Sequence, residues 1–275
     1  MKLYFERHDG QAVTCDDFVQ AIADANPTSP LAQHLPQFKR WYSQAGTPRV
    51  HATGVYDAAT RSYALTLSQS CPATPGQSSK EPFVIPVELG LLSASGAPLA
   101  LQLEGEGASG ATSQVLVLTE ASQTFTFTNL DAAPVPSLLR NFSAPVVLDI
   151  DYTDAELLTL LAHDTDAFNR WEAGQRLAST LILDAAAAIA AGQTPVWPAS
   201  FVDAARRLLQ TQTQRGAAFV AEALTLPGES TLAEAMDVVD PDALHAARNA
   251  LRRHLAEQLE GEFAGLYAAL APNAP

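Results

Sequence analysis

The hydrophobic period of this chain changes twice, and that constrains its fold more than any other feature. From residue 1 to about 47 apolar residues recur at helical spacing, from about 48 to 152 they alternate with a period of two, and from 153 onward the helical period returns. A period-2 stretch wound into a helix would scatter its apolar side chains around the axis, and a helical pattern laid out as a strand would do the same across both faces. The order therefore predicts an α+β multidomain chain: a short helical segment (1–47), an immunoglobulin-like β-sandwich (48–152), and an all-α helical bundle or α-solenoid (153–275).

Local signals fill in each regime. Lys2 to His8 reads as a helix closed by Asp9-Gly10. Thr14-Cys15-Asp16-Asp17 resembles a capping box, worth about 1 kcal/mol, opening a helix with Phe18, Ile22 and Ala25 on one face. A third helix is expected from near Pro36, carrying Phe38, Trp41 and Tyr42 and stopping at Gly46 before Pro48. In the second regime Tyr63, Leu65 and Leu67 alternate with Ala64, Thr66 and Ser68, and Phe125 and Phe127 alternate with threonines. Val146, Leu148, Ile150 and Tyr152 alternate likewise, while Val115 to Leu118 is apolar on both faces and predicts a more buried strand. Turn signals fall at Ser95-Gly96-Ala97-Pro98, Gly105 to Gly110 and Asp131 to Pro136, giving seven or eight short strands. In the third regime Thr153-Asp154-Ala155-Glu156 is a capping box before a leucine-rich helix, and a long helix runs from Asp166 to Ala191, ended by Gly192. Further helices start near Pro198, Gly216 and Ser230, and a last one is expected from Asp240-Pro241 to about Leu270.

Composition removes whole classes of function. The 275 residues include 16 basic and 30 acidic ones, for a net charge of -14. Nucleic acid and anionic membranes recruit cations, and this field opposes both encounters, so neither is expected as a partner. Cys15 and Cys71 are too few for a disulfide framework, and neither lies in a Cys-x-x-Cys pair; two reduced thiols in a cytoplasmic protein are expected. Met1 to His8 lacks the apolar core of a signal peptide, and the most apolar helix, Leu181 to Ala191, is too short to span a bilayer.

Each chemical motif meets a blander reading. A helical zinc peptidase site needs two histidines one turn apart with a glutamate beside the first. The six histidines here, His8, His34, His51, His163, His245 and His254, are followed by Asp, Leu, Ala, Asp, Ala and Leu, and no two lie three to five residues apart. That absence weighs heavily, because zinc lowers the pKa of bound water by roughly eight to nine units, on the order of 12 kcal/mol. Gly105, Gly107 and Gly110 match the dinucleotide fingerprint by letter, but a strand-like run follows where a helix must begin, so a hairpin turn is expected. Asp149 and Asp151 would project from one strand face about 7 Å apart, a spacing open to paired-carboxylate chemistry, yet no third group accompanies them and the face reads as solvated. His163-Asp164-Thr165-Asp166 could be a ligand cluster but reads better as helix capping. Asn141-Phe142-Ser143 is a glycosylation sequon only by letter. Trp41, Tyr42, Phe168 and Trp171 read as core or interface anchors. No catalytic, cofactor-binding or metal residue is therefore expected.

Five stretches together resemble the bacterial aminopeptidase N (alanyl aminopeptidase) family of zinc metallopeptidases. They are Tyr4 to Gly10, Thr14 to Val19, Phe38 to Pro48, Pro134 to Arg140 with Phe142 to Val146, and Phe168 to Gln175, in the family's order and spacing over about residues 1 to 195. The resemblance implies an enzyme with an amino-terminal β domain, a thermolysin-like catalytic domain, a small β-sandwich and a helical domain closing over the active site. This chain would hold the last catalytic-domain helices (1–47), the sandwich (48–152) and the amino-terminal part of the helical domain (153–275). The family's zinc ligands, general-base glutamate and Gly-x-Met-Glu-Asn segment match no position here, so zinc belongs to the full-length parent and no site residue is carried over. The expected role is a non-catalytic scaffold, partnered by the parent's remaining domains, with peptide as the full-length protein's substrate. Both ends are expected to be cuts in a longer chain. Two alternatives stay open: an independent protein-binding module, and a hydrolase using Asp149 and Asp151.

Overall fold

The computed structural model describes residues 1–107, 110–210 and 216–270. It separates into two compact units, one of residues 1–91 with 99–151, the other of 92–98 with 152–275.

The first unit opens with α1 (Lys2–His8) and α2 (Cys15–Ala25). Thr14 caps α2 in both directions: its hydroxyl accepts the Asp17 amide, and the Asp17 carboxylate accepts the Thr14 amide at 2.9 Å. Those bonds, the backbone one first and the hydroxyl second, hold the Asp17 pKa below its usual value. The buried face of α2 differs from the expected one. Val19 and Ala23 pack with Leu35, whereas Ala25 is exposed and Phe18 sits 5.1 Å from Tyr4 at the surface. The expected single helix from Pro36 is instead three one-turn pieces, α3 (Pro30–Gln33), α4 (Leu35–Phe38) and α5 (Arg40–Ser43). Pro30 and Pro36 remove amide donors and restrict the residues before them, so α3 and α4 each start at a proline in their first turn, with His34 between them, while α4 and α5 are separated at Lys39.

Among the described residues seven strands follow: β1 (Arg49–Asp57), β2 (Ser62–Ser70), β3 (Ile85–Leu92), β4 (Gln114–Leu118), β5 (Ser122–Phe127), β6 (Val135–Leu138) and β7 (Val147–Asp149). They form a sheet in the order β5-β2-β1-β7 and another in the order β4-β3-β6. β1 pairs antiparallel with β2 and parallel with β7. The alternating residues behave as their period requires: Tyr63, Leu65, Leu67 and Phe127 point into a core shared with Val50, Ile85, Leu89 and Leu118. Val115 to Leu118 is not a more buried strand. It is β4, an edge of its sheet, with Leu116 and Leu118 inward and Val115 half exposed, so apolarity on both faces here marks an uncovered edge. Val135 and Pro136, expected in a turn, begin β6, and the last alternation yields only the three residues of β7.

Gly54 exists because of a neighbouring aromatic ring. A Cβ there would lie 1.8 Å from the Tyr63 hydroxyl oxygen, and Tyr63 is buried. Gly54→Ala is expected to destabilise the sandwich by about 1–3 kcal/mol, seen as a lower urea midpoint at unchanged slope.

The second unit is helical: α6 (Asp154–His163), α7 (Ala167–Ala190), α8 (Ala199–Gln210), α9 (Ala217–Ala223), α10 (Glu229–Ala233), α11 (Pro241–Gln258) and α12 (Glu260–Leu270). Thr153 and Glu156 form the expected capping box on α6, Asp166 caps α7 and Asp240 caps α11. α7 is the spine, packed by α6, α9 and α11; α8 rests on α6. The last helix is broken at Leu259, whose ψ of 15° leaves the helical range, where one continuous helix was expected. The chain end from 271 lies outside the described residues, as does the middle of the Gly105–Gly110 turn.

Candidate functional site

The carboxylates and imidazoles singled out in the sequence do not converge. Asp149 faces His51 across the β1–β7 pairing at 3.2 Å, and both are well exposed; Asp151 is exposed in the segment after β7. His245 binds Glu229 at 2.8 Å and Asn249 on its other nitrogen. His254 lies against Trp197. Among the described residues no three His, Cys, Asp or Glu side chains are grouped to hold a metal ion, and the positions outside that description include none of these types. A tetrahedral zinc site needs such a set, so the residues present do not fit zinc. Both cysteines are free thiols, Cys15 exposed and Cys71 half-buried. Among the described residues no helix is long and apolar enough to cross a membrane.

The polar groups that are organised are structural. Trp41 donates its indole N–H to the Val84 carbonyl at 2.9 Å and stacks 4.7 Å from Phe83, tying the helical lead-in to the sandwich. Gln37 adds a bond to the Thr119 carbonyl at 2.6 Å. After β6 the chain turns tightly, with Leu139, Asn141 and Phe142 all at positive φ near 55°. Such conformations cost of order 1 kcal/mol or more each and persist only when the surroundings impose them. Here Asn141 donates to Glu88 at 3.0 Å, Ser143 accepts the Glu88 amide at 2.9 Å, and Ser113 holds the other Glu88 oxygen. Between them Arg140, only 5% exposed, lays its guanidinium over Gly90 and donates to Ser137 at 2.8 Å. Nothing in the spacing of Arg140 announced a buried cation.

His163-Asp164-Thr165-Asp166 is the link from α6 to α7. Asp164 accepts the Asp166 amide and Asp166 accepts the Asn169 amide, both at 2.9 Å. Arg170, 1% exposed, reaches back to the Leu161 carbonyl at 2.9 Å and the Ala162 carbonyl at 3.3 Å, satisfying acceptors that the end of α6 would otherwise leave bare. His163 meets Arg207 of α8 at 3.0 Å. Partial burial, then the charges of Arg207 and Arg170, push its pKa below 6.5, outweighing the opposite pull of its place at a helix C-terminus. In the folded chain His163 should titrate at a lower pH than a free histidine in a proton NMR series. The unfolded chain then takes up the proton first, so His163 makes folding less favourable as the pH falls from 6.5 toward its folded pKa, and above 6.5 it has no effect.

Comparison with known proteins agrees with both units. A family model described as a domain of unknown function (DUF3458) with an Ig-like fold matches residues 46–151, and another described as DUF3458_C, ARM repeats, matches 154–275. Armadillo-type repeats are α-solenoids, the second of the two helical architectures expected. Aminopeptidase N of Escherichia coli (strain K12) is 43% identical over 267 residues, covering 97% of this chain and 30% of its own length. Aminopeptidase N of Haemophilus influenzae is 37% identical over 99% of this chain and 30% of itself, and that of Caulobacter vibrioides 41% identical over 94% of this chain and 28% of itself. The crystal structure of Legionella pneumophila aminopeptidase A in complex with aspartic acid matches with a TM-score of 0.76 and 29% identity, over 98% of this chain and 28% of that one. The chain thus spans about 30% of the length of the curated relatives it matches. With such identity sustained through both units, this chain belongs to the aminopeptidase N family.

Proposed function

We propose that this chain is the non-catalytic scaffold of a zinc aminopeptidase that removes amino-terminal residues from peptides. One observation carries the reading: nearly the whole chain aligns with relatives named Aminopeptidase N, yet with under a third of their length. The sequence supports it, because no histidine here is followed by glutamate and none has a second histidine one helical turn away. When bound, zinc would polarise the scissile carbonyl and lower the pKa of a water; the residues that hold it lie in the remainder of the parent protein. What this chain supplies is shape. Residues 1–47 would close the catalytic domain, 48–152 form the sandwich, and 153–275 begin the helical domain. Its partners are then the other domains of the parent, and peptide is the substrate of the full-length enzyme. Two free thiols suit a reducing, cytoplasmic setting.

An activity comparison tests this. The chain alone is expected to leave alanyl p-nitroanilide intact with or without added zinc, while the full-length polypeptide hydrolyses it. Zinc-dependent turnover by the isolated chain, abolished by a chelator, would refute the proposal.

A further inference from the structure

The helical unit contains an open cleft of about 270 Å³ between α6 and α8. Leu158 and Ala204 give it apolar lining and Ser200, His163 and Arg207 line it with polar groups, while the Thr159 hydroxyl is donated to the Ala155 carbonyl at 2.9 Å. Its electrostatics are unusual for so acidic a chain. A guanidinium has only donors, so the 3.0 Å contact between Arg207 and Nε2 of His163 requires that nitrogen to be a lone-pair acceptor and the ring to be neutral. Among the described residues Arg207 pairs with no carboxylate. Asp203, one turn earlier, is engaged by Arg206 at 2.7 Å, and Arg206 also holds Glu262 at 2.6 Å. The imidazole is fixed in place as well: a Cβ on Gly96 would come within 2.2 Å of its Cγ, so the loop 92–98 lies directly on the ring.

We infer that this cleft binds a small organic monocarboxylate with a short apolar tail. The carboxylate takes the remaining donors of Arg207 in a charge-assisted fork, Ser200 lines the same cleft, and the tail rests on Leu158 and Ala204. The class follows from the lining. Asp203 in the lining disfavours a dianion, and the volume falls below the range of drug-sized sites. Binding is linked to a proton. The charges acting on His163 are Arg207 on α8 and Arg170 on α7; Asp203 of α8 lines the same cleft, Asp164 follows in sequence, and the loop 92–98 carries no titratable side chain. An anion on Arg207 offsets the cations that keep the ring neutral, so His163 becomes easier to protonate at Nε2, exchanging its acceptor contact with Arg207 for an N–H donated to the bound carboxylate.

Butyrate is the probe, at constant ionic strength, with the His163 Cε1–H resonance followed by NMR as pH is varied. The expected result is a saturable upward shift of the His163 midpoint, with a Kd on the order of 1 mM, as suits a ligand of so few atoms. Neutral butyramide should produce no shift. Arg207→Gln should abolish the butyrate response, and Arg207→Lys, which keeps the charge but loses the fork, should weaken it about tenfold. A midpoint unmoved by butyrate, or a full response in folded Arg207→Gln, overturns the site. Inorganic phosphate shifting the midpoint at least as strongly as butyrate overturns the monocarboxylate assignment.

Discussion

Gly90→Ala is expected to lower the stability of the sandwich unit by about 3 kcal/mol, although it adds a single methyl group. The new Cβ would lie 2.3 Å from Cζ of Arg140 and 2.4 and 2.6 Å from its two terminal nitrogens. Arg140 is buried and fixed by Ser137, so the guanidinium cannot swing away without giving up a charge-assisted bond inside the protein. Overpacking costs about 1–3 kcal/mol and a lost bond to a charged group about 1.5–3; the reduced backbone freedom of alanine in the unfolded chain returns somewhat less than 1. The clash has a specific partner, so it also has a specific test. In an Arg140→Ala background the same Gly90→Ala change should cost close to nothing, and urea unfolding of the four variants measures that coupling. Equal costs in both backgrounds would mean that the guanidinium does not occupy the space above Gly90.

Arg170→Met is expected to destabilise the helical unit by about 3 kcal/mol or more, even though methionine nearly fills the same volume. The loss is polar. Two carbonyls at the end of α6 lose a cationic donor, that of Leu161 in a buried site and that of Ala162 in a half-buried one, at about 1–3 kcal/mol for a buried unsatisfied group and less where water can reach it. Unfolding by urea, followed by helical circular dichroism, should show it. A second readout separates this from generic core damage. Arg170 is one of the charges that keep the His163 pKa low, so in Arg170→Met that midpoint should rise toward 6.5. A variant with wild-type stability and an unmoved His163 would show that Arg170 serves neither role.

Much of the fold was legible because periodicity and capping are local. Thr153-x-x-Glu156, Asp166 before α7 and Asp240-Pro241 mark helix starts that the structure keeps, since each side chain satisfies amides within one turn of itself. Tyr63, Leu65 and Leu67 alternate in sequence and face one core in space. What escaped the sequence depends on neighbours distant along the chain. Whether Val115 to Leu118 is central or an edge is set by which strands pair with it, and its composition is silent on that point. Pro30 and Pro36 mark the starts of α3 and α4, whereas the break between α4 and α5 at Lys39 has no local signal beside the helical spacing of Phe38, Trp41 and Tyr42.

The candidate site shows the same division. His163 to Asp166 was visible as a linker because capping is short-range. Its partners Arg170 and Arg207 come from α7 and α8, and no motif joins them in sequence. Buried Arg140 and the positive-φ run around it make Pro134 to Val146 a strained turn locked by Glu88 and Ser137.

Whether the segment is architectural or catalytic rests on its inability to hold the metal. Equilibrium dialysis of the purified chain against micromolar zinc, followed by elemental analysis, addresses that directly. The expected outcome is substoichiometric zinc removed by a brief wash, because the histidines and carboxylates are dispersed and form no group of three among the described residues. One zinc retained per chain, resistant to washing and released only by a strong chelator, would contradict it.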